Sequence, residues 1–62
     1  MDYFDKIVAI PESFSKQDLE ELKRQYPQLD FQVVKTPVGM RLKISGMTTG
    51  EIIEEIEKQI GV

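Results

Sequence analysis

Sixty-two residues with a formal net charge of −3 allow one small domain, spanning residues 1–62, and such a chain buries only about 60% of the surface its unfolded form exposes. Neither cysteine nor histidine is present, which removes disulfides, thiolate chemistry, the usual structural zinc sites and imidazole acid–base catalysis. The acidic start Met1-Asp2-Tyr3-Phe4-Asp5 is unlike a secretory leader, and the longest apolar run, Ile7 to Pro11, is far below the ~20 residues of a membrane span; a cytoplasmic protein without a membrane partner is expected.

Tyr3 to Ile10 reads as a strand, being rich in β-branched and aromatic residues and stopped by Pro11. Its second half, Ile7-Val8-Ala9-Ile10, is apolar on both sides, the pattern of a strand covered on both faces. A helix follows: Ser15 suits the N-cap, Asp18 complements the helix dipole three residues on, and Phe14 and Leu19 take the two positions of a hydrophobic staple. Leu19, Leu22 and Tyr26 share one face of it, and Pro27 ends it near Gln25 or Tyr26.

Asp30–Lys35 and Met40–Ser45 predict a hairpin joined by Thr36-Pro37-Val38-Gly39, with proline and glycine at the second and fourth turn positions. The register that pairs Phe31 with Ile44 and Val33 with Leu42 inside also pairs Gln32 with Lys43 outside, so both faces are consistent. Gly46 is expected to end the hairpin. A second helix then opens on Thr48-Thr49-Gly50-Glu51, read as a capping box with Met47 and Ile52 as its staple, and stops at Gly61.

The order β-α-β-β-α places this chain in the α+β class, with two helices on one face of a three-stranded sheet. A right-handed crossover gives spatial order 1-3-2 or 1-2-3, the former resembling a split β-α-β, ferredoxin-like unit that lacks its last strand. The expected core is Ile7 or Val8 with Leu19, Leu22, Phe31, Val33, Leu42, Ile44, Ile52, Ile53, Ile56 and Ile60. With order 1-3-2 the first strand is an edge, yet its second half reads as buried; a second copy pairing there, or stacking on the open face, would remove that conflict.

Chemistry has few supports. The glutamates at 51, 54, 55 and 57 fit a solvated helix face better than a tuned acid–base pair. Gly46-Met47-Thr48-Thr49-Gly50 lacks the Lys-Ser/Thr ending of a phosphate-binding loop. A core this small is not expected to hold a ligand-sized pocket, typically ~300 Å³ or more. No catalytic residue, cofactor, metal or small-molecule substrate is therefore expected.

Charge is distributed in blocks. Residues 1–30 hold seven acids and four bases, residues 31–50 hold three bases and no acid, and residues 51–62 hold four acids and one base. Lys6, Lys35, Arg41 and Lys43 are expected on the open sheet face. That pattern admits nucleic-acid binding, although the strand Met40-Arg41-Leu42-Lys43-Ile44 has no aromatic on which a base could stack. The acidic helices admit a nucleic-acid-mimicking inhibitor. The leading expectation is a non-catalytic protein-interaction or regulatory module that associates with a partner protein or a second copy of itself, through the open face or first strand. Its expected surface is Lys6, Val8, Gln32, Val34, Arg41 and Lys43.

Overall fold

A computed structural model describes residues 1–61 and contains β1 (Asp2–Ala9), α1 (Lys16–Gln25), β2 (Asp30–Thr36), β3 (Gly39–Thr48) and α2 (Gly50–Ile60). The sheet order is β1-β3-β2, with β3 antiparallel to both neighbours. This is the 1-3-2 alternative: two helices on one face of an antiparallel sheet whose other face is open. The hairpin register pairs Phe31 with Ile44, Gln32 with Lys43 and Val33 with Leu42.

Period-2 alternation sets what each strand buries. Leu42 and Ile44 of β3, Val8 of β1 and Phe31 of β2 point toward the helices and are buried. From α1 comes Leu22, and from α2 come Ile53, Ile56 and Ile60 at helical spacing. The α1–β2 loop adds Leu29, which no periodic pattern marks; its amide donates to the Tyr26 carbonyl at 3.0 Å. Tyr26 and Phe31 meet as a tilted ring pair, centroids 6.4 Å apart.

The start of α1 follows its sequence signal. Ser15 caps it, Asp18 N–H donating to Ser15 Oγ at 3.2 Å, while the Asp18 carboxylate accepts from Ser15 N–H at 2.9 Å. The start of α2 differs from expectation. Gly46 does not end β3: it takes φ +138°, a conformation open to glycine, and the strand runs on to Thr48, which faces Asp2 of β1. Thr48 is consequently a buried ladder residue, and the cap shifts to Thr49, whose hydroxyl accepts from Ile52 N–H at 3.3 Å. Gly46 also admits Leu29: an added Cβ would lie 2.9 Å from Leu29 Cδ2.

Within the expected core, Val8 is the buried member of the Ile7-or-Val8 alternative, and three other positions are corrected. Ile7 is 56% exposed, because the face of β1 that carries it has no covering layer. Leu19 and Ile52 are only half-buried, and Val33 is 37% exposed. Thr48 replaces them as a fully enclosed residue, and its hydroxyl has no hydrogen-bond partner among the described residues.

Candidate functional site

Two surfaces carry exposed apolar residues, on opposite sides of the sheet. The first is the open face. Reading across β1, β3 and β2, its rows are Asp5–Ser45–Asp30, Ile7–Lys43–Gln32 and Ala9–Arg41–Val34, with Tyr3 beside Met47 beyond the acidic row. Tyr3 and Met47 stand largely clear of the protein, as does Ile7. Charge is segregated along the strands: two carboxylates occupy one row, and Lys43 and Arg41 the next two. The Arg41 guanidinium curls toward the hairpin end, Nη1 donating to the Met40 carbonyl at 2.8 Å.

Of the residues singled out from sequence, Gln32, Val34, Arg41 and Lys43 are brought together on this face. Lys6 and Val8 are not. Both have the parity of Phe4 and face the helices: Val8 lies in the core, and Lys6 reaches over it to Glu57 of α2, Nζ to Oε1 at 2.9 Å. The apolar stem with a charged tip is the usual way lysine occupies such an edge. Lys35 likewise shares the helix-side parity of Val33, opposite Met40. The open face thus carries two bases beside two acids rather than four bases, a weaker electrostatic attraction for nucleic acid than four bases would give. The acidic helix array is also interrupted, since Asp18 is used in the α1 cap, Glu21 pairs with Arg24 at 2.8 Å and Glu57 pairs with Lys6.

The second surface is a groove on the helix side, at the hairpin end. A strand of 10 residues such as β3 runs ~33 Å at about 3.3 Å per residue. Helices of 10 and 11 residues run only ~15–17 Å at 1.5 Å per residue. The hairpin therefore overhangs the helices, and its last inward residues are left uncovered. Val33, Met40 and Val38 form one wall, and Ile10, Phe14 and Leu19 the other, enclosing about 670 Å³ that opens to solvent. Glu12, Lys16 and Arg41 are the charged residues along it. This groove lies at the surface beside the core, whereas the expectation concerned a pocket within the core. Of the expected core residues that stay partly exposed, Leu19 and Val33 line the groove and Ile52 does not.

Among the described residues no helix is long and apolar enough to cross a membrane, and no group of three or more acidic side chains is placed to hold a metal ion. The chain matches no protein-family model, no curated protein and no solved structure.

Proposed function

We propose that this chain is a non-catalytic protein-binding module of the cytoplasm that acts as a homodimer through its open sheet face. The observation that carries this reading is the self-complementary order of that face. An in-plane two-fold axis crossing the strands between the Ser45 and Lys43 rows lays each strand antiparallel over its own copy. Tyr3 and Met47 of one copy then meet Ala9, Arg41 and Val34 of the other. Lys43 lies over Ser45 of the second copy, flanked by its Asp5 and Asp30. Such an isologous contact, one patch used twice, is the commonest way for identical chains to pair. Two sheets can stack face to face at about −30°; in this register the charged rows meet at the centre, where Lys43 faces Asp5 and Asp30, and Tyr3, Met47, Ala9 and Val34 close the two ends with apolar contact.

Sedimentation velocity over a concentration series tests it. The expected mass is twice 7.2 kDa; Ile7→Glu and Val34→Glu each return the chain to the monomer, with an unchanged circular dichroism spectrum. Lys43→Glu weakens the dimer, and combining it with Asp5→Lys and Asp30→Lys restores it. A monomer at every concentration, or a dimer indifferent to Ile7→Glu, overturns the proposal.

A further inference from the structure

We infer that the hairpin-end groove is a second binding site, for an acidic amphipathic peptide segment, distinct from the open face and on the opposite side of the sheet. Its volume of about 670 Å³ lies within the ~300–1,000 Å³ of ligand clefts. The walls come from three separated stretches, the β1–α1 loop, the first turns of α1 and the β2–β3 hairpin. Together they line a groove that opens to solvent and can admit apolar side chains of a partner. Val33 and Met40 lie on the inward face of the hairpin and remain 37% and 46% exposed, so apolar anchors spaced along one helical face would complete a layer the chain leaves unfinished.

Charge selects the kind of segment. Lys16 stands at the α1 end and the Arg41 guanidinium at the hairpin end, against a single acid, Glu12. In a chain of net charge −3 this rim is locally basic. It attracts carboxylates flanking an apolar core and repels a basic amphipathic helix.

The test uses a fluorescein-labelled peptide of about twelve residues, with Leu and Phe at i, i+4 and i+7 among glutamates, and the same peptide with lysines for glutamates. Binding is followed by anisotropy at low salt and mapped by amide shifts on the isotope-labelled full chain. The glutamate peptide is expected to move the amides of Phe14, Lys16, Leu19, Val33 and Met40, and the lysine peptide to leave them still. Met40→Glu and Lys16→Glu, both off the open face, should each weaken binding about tenfold without altering the sedimentation mass. Equal binding of the two peptides, shifts confined to the open face, no shifts at all, or equal shifts from decanoate alone each overturn the inference. Sedimentation of the peptide-free chain separately decides the dimer, so the two readings fail independently.

Discussion

Thr48→Val should stabilise this protein. Thr48 ends β3 opposite Asp2, is wholly enclosed, and its hydroxyl meets no partner among the described residues. Burying a hydroxyl without a hydrogen bond costs about 1–3 kcal/mol in protein mutational data. Valine has nearly the same shape, so it removes that cost without opening a cavity, and a β-branched residue keeps the strand preference. The total stability of a chain of 62 residues is about 3–9 kcal/mol at the usual 0.05–0.15 per residue, so the gain is a large fraction of it. Each kcal/mol is worth roughly 4–8 °C in Tm for a domain of this size. Thermal and urea melts followed by far-ultraviolet circular dichroism would measure it, at one fixed protein concentration because dimerisation adds its own stability. The urea midpoint should rise with an unchanged slope. Thr48→Ser, which keeps the hydroxyl and loses the methyl, should instead cost about 1 kcal/mol. If valine proves equal to or less stable than threonine, the hydroxyl has a partner and the reasoning is wrong.

Two other substitutions test how the ends of β3 and α1 are built. Gly46→Ala places a Cβ 2.9 Å from Leu29 Cδ2 and 3.1 Å from the Gln28 carbonyl at φ +138°; strain and overpacking together should cost about 2–5 kcal/mol, seen as a collapse of the urea midpoint. Ser15→Ala removes the hydroxyl that accepts from Asp18 N–H and should cost about 1 kcal/mol, with faster amide exchange concentrated in the first turn of α1.

The hairpin was legible because every clue agreed. Met40, Leu42 and Ile44 alternate with Arg41, Lys43 and Ser45, the turn carries proline and glycine in suitable places, and one register satisfies both faces. The cap of α1 was legible for the same reason. At the start of α2 the clues competed: Thr48 and Thr49 are both good caps, and the choice was made by the ladder to β1, a contact 46 positions away in the chain. The side on which Lys6 falls was hidden in a similar way. Ile7-Val8-Ala9-Ile10 has no period of its own, so only the pairing of Val8 with Leu42 decides that Lys6 faces α2 and Ile7 faces outward. Leu29 escaped because a loop residue has no repeat to betray it; its burial follows from the missing side chain at Gly46.

Both exposed apolar surfaces follow from one shortage. Among the described residues the three strands and two short helices leave the second face of the sheet uncovered, and the helices that cover the first face stop short of the hairpin. Tyr3, Ile7 and Met47 are left over from the first deficit, and Val33, Val38 and Met40 from the second. A chain with so little buried surface gains stability from any partner that covers either set. The two sets lie on opposite sides of the sheet, the first on the open face and the second on the helix side, at the hairpin end beyond the buried Leu42 and Ile44. A second copy on the open face therefore leaves the groove walls free, Arg41 being the residue common to the two surfaces. Occupation of one need not obstruct the other, and a dimer would present two grooves facing away from its own interface, an arrangement suited to holding two copies of one segment at once. Linked in this way, two weak peptide contacts act as one stronger contact when the linker spans both grooves.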